Sequence, residues 1–216
     1  MNKFFKETII WIFNLIPLVY LKIVWNQLPD KVITSFGFSG GANGWTDKNE
    51  LPLVIGGIVI GTYLLMKFLP YFDPKKKIAN MGDKYLSFRL IMTIFMSLLT
   101  VYILYVGSTG ISNQNLLFGL LGLFFALQGN YMQTLRPNYF LGIRTPWTLE
   151  NEETWRLTHR IGGRLWMAGG TLTILLSIII GDKLWLSISF GIIIAIISIF
   201  PIIYSYSAFQ KNKLSK

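Results

Sequence analysis

"LWLSISFGIIIAIISIFPIIYSYSAF", residues 184–209, runs for 26 positions without a charged side chain. About 20 apolar residues cross the hydrocarbon core of a bilayer as a helix. This stretch therefore predicts a membrane span. Leu116–Leu135 is equally free of charge, which makes a second span. The composition agrees: of 216 residues, 52% are hydrophobic and only 14% charged, whereas a soluble domain carries roughly 25% charged residues. Mean hydropathy is +0.50. The reading is an all-α integral membrane protein.

Six spans are expected, at Ile9–Trp25, Leu51–Leu69, Leu86–Val106, Leu116–Leu135, Leu165–Gly181 and Leu184–Tyr206. The first stretch, "MNKFFKETIIWIFNLIPLVYLKIVW", has Lys3 and Lys6 ahead of an apolar run, like a signal peptide. It lacks a small-residue cleavage site, so a retained span is predicted. Pro17 and Pro201 fall inside spans. Kinks are expected there, because neighbouring helices can satisfy the carbonyl that proline frees.

Basic residues partition between the two ends of the spans. Sixteen lie on one side: Lys3, Lys6, Lys67, Lys75, Lys76, Lys77, Lys84, Arg89, Arg136, Arg144, Arg156, Arg160, Arg164, Lys211, Lys213 and Lys216. Four lie on the other: Lys22, Lys31, Lys48 and Lys183. The positive-inside rule then predicts a multipass protein with both termini, the 70–85 loop and the 136–164 loop in the cytoplasm. The net charge of +10 is topology charge whose first partner is anionic membrane lipid. No basic face with a reading element is visible, so direct nucleic-acid binding is not expected.

Several chemistries are disfavoured. The chain has no cysteine and one histidine, so neither a disulfide framework nor a Cys/His metal cluster is expected, and no cofactor is implied. No Asp or Glu lies deep in a span, which argues against ion-coupled transport. Asn14, Gln128 and Asn130 are the main buried polar candidates. Interhelical hydrogen bonding accounts for them without a substrate.

The outer segment Asn26–Pro52 reads "NQLPDKVITSFGFSGGANGWTDKNELP". "VITSFGF" favours β-branched and aromatic residues, which predicts a short strand. Phe36, Phe38 and Trp45 are then either interfacial anchors or a recognition surface facing outward.

The inner segment Asn138–Leu165, "NYFLGIRTPWTLENEETWRLTHRIGGRL", is polar and tryptophan-marked between two apolar runs. Pro137, Gly142 and Pro146 prevent a continuous helix in its first half. Thr148 is expected as an N-cap, with Glu150, Glu152 and Glu153 complementing the helix dipole. The prediction is an amphipathic helix over 149–161, lying at the interface and running into the fifth span. Glu152, Arg156, Arg160 and Arg164 share one face and Trp155, His159 and Trp166 a second, with Gly162 beside it. The arginine stripe fits lipid phosphates or an ion-pair ladder, and His159 fits a structural hydrogen bonder. Gly162–Gly163 and Gly169–Gly170 fit close helix packing.

The pattern Asn138, Gly142, Arg144, Thr145, Pro146, Thr148, Leu149, Trp155, His159 and Gly163 resembles the signature of the SdpI family, bacterial membrane immunity proteins against a secreted peptide toxin. The first half, with Leu28–Pro29, Phe36 and "GWTDKNELP", is similar to the small domain of unknown function that often precedes such regions. Many such domains carry a histidine in the outer strand; this chain has "ITSFGF", with Ser35 near that place. The resemblance implies two regions, 1–85 and 86–216. It also implies immunity to the toxin, and signalling by holding an ArsR-type autorepressor at the membrane. Carried over, Arg144, Thr145, Pro146, Trp147, Trp155, Arg156, His159 and Arg160 form the functional surface, with no catalytic residue. The alternative is a membrane enzyme or lipid-headgroup-binding protein, in which Arg144 and Arg160 pair with phosphate and His159 acts as acid or base.

Overall fold

A computed structural model describes residues 2–37, 42–73 and 76–214. Among these described residues six helices are long and apolar enough to cross a membrane. They are α1 (Lys3–Val24), α2 (Leu51–Phe72), α3 (Asp83–Thr109), α4 (Gln114–Met132), α6 (Glu152–Ile179) and α7 (Lys183–Leu214), with a short α5 (Pro146–Glu150) ahead of α6. A two-stranded antiparallel hairpin, β1 (Lys31–Phe36) and β2 (Ala42–Asp47), links α1 to α2. The molecule is a multipass helical membrane protein. Six crossings bring both termini to one face, here the terminal face, with the hairpin on the other.

The outward surface of the bundle explains why it needs lipid. Leu53, Ile178, Ile179 and Ile203 are all more than 60% exposed. In water this apolar girdle would be costly, and lipid tails cover it instead. Inside the bundle α1 packs chiefly on α3, while α6 lies between α4 and α7.

Glycine sets the α4–α6 distance. A Cβ on Gly129 would lie 2.3 Å from the Met167 nitrogen, and one on Gly170 would lie 2.4 Å from the Ala126 nitrogen. The backbones touch, which is how helices gain dispersion contact where no hydrophobic effect separates protein from lipid. Gly163 and Gly169, predicted as packing residues, are both buried; Gly163 meets the Gly129 carbonyl on α4, whereas Gly169 meets Ile197 on α7.

The hairpin is seated on the helix ends. Val32 is fully buried beside Leu21, Val24, Leu28, Leu51, Ile55, Val59 and Leu104. Gly107 leaves room for it, since a Cβ there would stand 2.4 Å from Val32 Cγ1. The predicted strand is β1, and its partner β2 pairs Trp45 opposite Ile33. β2 passed unread in the sequence because "ANGWTD" carries little strand character.

Several boundaries move. The helix placed at 149–161 by sequence is divided: α5 ends at Glu150, Asn151 is extended, and α6 then runs unbroken from Glu152 through the fifth span. Thr148 is not the N-cap. Thr145 caps α5 and Asn151 caps α6, its side chain accepting the Thr154 N–H. Pro146 decides this, because proline is at home in the first turn of a helix and leaves the preceding Thr145 extended. α7 passes through Pro201 and continues to Leu214, beyond the predicted Tyr206. Helical hydrogen bonding continues there after the apolar composition ends.

Of the polar residues assigned to the spans, Gln128 is buried and its Nε2 sits 3.0 Å from Met92 Sδ on α3. Asn14 is buried without a partner for its Nδ2 among the described residues. Asn130 is exposed, so its assignment as a buried group is corrected: the position of α4 that meets α6 here is Gly129.

Candidate functional site

The polar segment folds back onto the terminal ends of α4, α6 and α7. Its first turn is organised by Asn138, which is 1% exposed. The Asn138 Oδ1 accepts the N–H groups of Phe140 (2.9 Å) and Leu141 (2.7 Å). Its Nδ2 donates to the carbonyls of Arg136 (2.8 Å) and Leu141 (3.2 Å). One buried amide thus replaces the partners that regular secondary structure would give this backbone.

Gly142 follows with φ +97°, a conformation that side chains rarely adopt. A Cβ there would meet His159 Nε2 at 2.2 Å. The close approach lets the Ile143 N–H donate to His159 Nε2 at 2.9 Å. His159 Nδ1 stands 2.9 Å from the Trp155 carbonyl one turn earlier. Because Nε2 accepts, the proton must sit on Nδ1, where it donates to that carbonyl. His159 is 1% exposed and stacked on Trp155, with centroids 3.9 Å apart and planes 19° apart. Both ring nitrogens are engaged.

The "RTPWT" turn is pinned at three points. Thr145 and Thr148 form a capping box: each side-chain oxygen accepts the other's N–H, at 3.3 Å and 2.9 Å. The Thr148 hydroxyl, fully buried, lies 3.0 Å from both the Ile143 and Thr145 carbonyls and can donate to either. Trp147 Nε1 donates to Ser205 Oγ on α7 at 2.6 Å, and its ring meets Tyr206 edge-on. Trp155 Nε1 donates to the Leu135 carbonyl at 2.9 Å. The two tryptophans tie the segment to α7 and to the end of α4.

The predicted site residues therefore divide by role. Asn138, Gly142, Thr145, Pro146, Trp147, Thr148, Trp155 and His159 build the fold of the segment, whereas Arg144, Arg156 and Arg160 are exposed. Arg144 Nη1 donates to the Tyr139 carbonyl. Arg156 grips Glu153 with Nε–Oε2 at 2.8 Å and Nη2–Oε1 at 2.5 Å. Glu152, predicted on the stripe with Arg156, instead stands 3.9 Å from Lys77. Beside Arg156 a cleft of about 570 Å³ is bordered by Arg136, Glu152 and Glu153. At the hairpin, Trp45 is 58% exposed. The Phe36 side chain and Phe38 lie outside the described residues.

Some contributors had no local signal in the sequence. Ser205, the Leu135 carbonyl and Asn212, whose Nδ2 donates to Thr154 Oγ1 at 3.2 Å, reach the segment only through folding. A second cavity, about 260 Å³, lies between α3, α4 and α6 and is lined by Phe88, Phe124, Gln128 and Trp166, with Leu141–Ile143 among its walls.

The architecture and this docked segment define a class: a multipass membrane protein with a tightly folded polar segment on its terminal face. Residues 134–205 match the model of the SdpI/YfhL protein family. Over 106 residues, 46% of the chain, it is 32% identical to Immunity protein SdpI of Bacillus subtilis (strain 168). Residues 134–205 are thus similar to the SdpI/YfhL family, and the likeness rests on this region. The matched part spans about half of that relative, 51% of its length. No solved structure matches.

Proposed function

We propose that this chain is a membrane immunity protein, protecting the cell that carries it from a secreted antimicrobial peptide. The likeness to Immunity protein SdpI supports this reading, and one observation carries it. The matched region, 134–205, runs from the start of the polar segment to Ser205, the residue that Trp147 grips. The shared unit is thus the whole docked segment with its two supporting helices.

In this reading the terminal face is cytoplasmic, as the basic residues argue, and the hairpin face meets the toxin. Trp45 and its neighbours on the hairpin capture the peptide. The segment answers through its exposed cations Arg144 and Arg160, which offer donors to carboxylates of a cytoplasmic partner, with Arg156 beside them already gripping Glu153. An ArsR-type repressor held at the membrane is that partner. The role is non-enzymatic, since His159 spends both ring nitrogens on holding the loop. Residues 1–85 serve capture and 86–216 serve response.

The test uses matched alanine variants of Arg144, Arg160 and Trp45 in a Bacillus subtilis strain deprived of its own Immunity protein SdpI. Each is checked for normal membrane abundance, then scored for survival of toxin and for repressor recruitment. Trp45→Ala is expected to lose capture. Arg144→Ala and Arg160→Ala are expected to weaken recruitment roughly tenfold, the loss of one charge-assisted hydrogen bond. The opposite assignment, or survival unchanged by the whole protein's presence, refutes the proposal.

A further inference from the structure

We propose that the first three helices hold a binding site for a phosphate-bearing anion on the terminal face, separate from the docked segment. A cleft of about 780 Å³ opens there between the start of α1, the end of α2 and the start of α3. Lys3, Lys67, Lys76 and Arg89 line it, with Glu7 and Asp83 as its carboxylates.

The pairing pattern leaves a surplus of positive charge. Arg89 is buried and holds Glu7, with Nη1–Oε1 at 2.8 Å. Asp83 is taken by Lys6 at 2.7 Å, which also donates to Ser87 Oγ at 3.0 Å. Both acids are thus neutralised by their own cations. Lys3, Lys67 and Lys76 have no carboxylate within ion-pair distance among the described residues. They come from three separate parts of the chain, α1, α2 and the α2–α3 connection, and converge on one cavity.

Simple topology charge does not require this convergence. Cations spread around helix ends satisfy the positive-inside rule equally well and repel one another less. Lys76 is also held in place at φ +50°, the left-handed region that non-glycine residues seldom occupy. Asp73 fixes that turn: its carbonyl accepts the Lys76 N–H at 2.9 Å and its Oδ2 accepts the Ile78 N–H at 2.9 Å. Lys76 in this turn is the third lysine that borders the cleft. Lys67 Nζ also stands over the Tyr63 ring, 5.5 Å from its centroid, a contact that leaves its charge unneutralised; a concave site with a net surplus of one sign of charge concentrates counter-ions. Pro70, Ile78 and Leu86 also line the cleft, apolar surface that suits the first methylenes of an acyl chain, and its level at the helix ends is that of headgroups. A phosphate is the anion that three compact ammonium groups fit, whether on an anionic phospholipid or free in solution.

The experiment compares the intact protein in nanodiscs of phosphatidylglycerol and phosphatidylcholine with the variant Lys67→Gln/Lys76→Gln. A control, Lys211→Gln/Lys213→Gln, removes the same charge from the same face. After mild detergent extraction, co-purifying phosphatidylglycerol is counted by mass spectrometry. The cleft variant is expected to retain at least fivefold less, and the control to stay within twofold of the parent. Lys3→Gln, at an exposed first-turn position, gives a second reading if the double variant folds poorly. In phosphatidylcholine-only nanodiscs, inorganic phosphate is titrated and thermal stability followed. A rise in the parent, absent from the cleft variant, assigns the site to free phosphate; no rise, with phosphatidylglycerol retention, assigns it to the lipid headgroup. Equal loss in cleft and control variants, or neither enrichment nor phosphate effect, overturns the site.

Discussion

His159 and Gly142 are locked to each other: a single methyl group on Gly142 would stand 2.2 Å from the imidazole Nε2. The loop can pass close enough for Ile143 to reach that nitrogen only because residue 142 has no side chain. Seventeen positions along the chain, the imidazole carries the acceptor that the loop needs. Neither residue achieves its geometry without the other.

Gly142→Ala should therefore destabilise the segment by about 1–3 kcal/mol, the typical cost of a non-glycine residue forced into a sparsely populated backbone region. Thermal unfolding in detergent, with hydrogen exchange at the Ile143 amide, measures it. Stability and exchange equal to the parent would contradict the close contact.

The imidazole tautomer is a second expectation. His159 is the sole histidine, so its nitrogen-15 spectrum needs no assignment. It should show hydrogen on Nδ1 and none on Nε2. His159→Ala should leave the Ile143 N–H unpaired, at a cost of about 1–3 kcal/mol for a buried orphan donor. A spectrum with hydrogen on Nε2 would mean that the Ile143 bond is absent.

Glycines on different helices should respond in opposite directions. Gly163→Ala drives a Cβ to 2.5 Å from the Gly129 carbonyl. This backbone neighbour cannot swing aside, so overpacking of about 1–3 kcal/mol or more is expected. Gly57 on α2 has nothing within 4 Å of its would-be Cβ. Gly57→Ala should be neutral or stabilise by about 0.5–1 kcal/mol through helix propensity. Comparing the two unfolding curves checks the α4–α6 contact directly.

Topology offers the fourth check. Only the last span, α7, separates Lys183 at its start from the chain end at Lys216. Reporter fusions after these positions should lie on opposite sides, the Lys216 fusion in the cytoplasm. Matching locations would remove a span, and reversed ones would invert the orientation.

The family signature was legible in "GIRTPWT" and its spaced Trp and His, but the work of its members was not. The helical repeat set His159 on the face of Trp155 and Trp166 and Arg160 on the face of Arg156 and Arg164, but it did not show which face is covered. In the structure His159 is 1% exposed and Arg160 is exposed. A helical repeat shows which residues share a face, but whether that face is covered depends on the Gly142–Ile143 loop.

The sequence by itself determined the six spans, their alternation and the glycine-rich faces. Burying some 20 successive apolar residues in lipid is a local decision, made by composition and length. It also marked a strand in "VITSF" and the amphipathic character of the segment before the fifth span. Only the tertiary structure decided where α5 stops and α6 starts, that β2 pairs with β1, and that Trp147 finds Ser205 58 residues away. It also decided that three lysines from distant positions face one cleft. These outcomes rest on hydrogen bonds and charges between segments far apart in the chain. Each polar group has several possible partners, and packing of the helices selects among them.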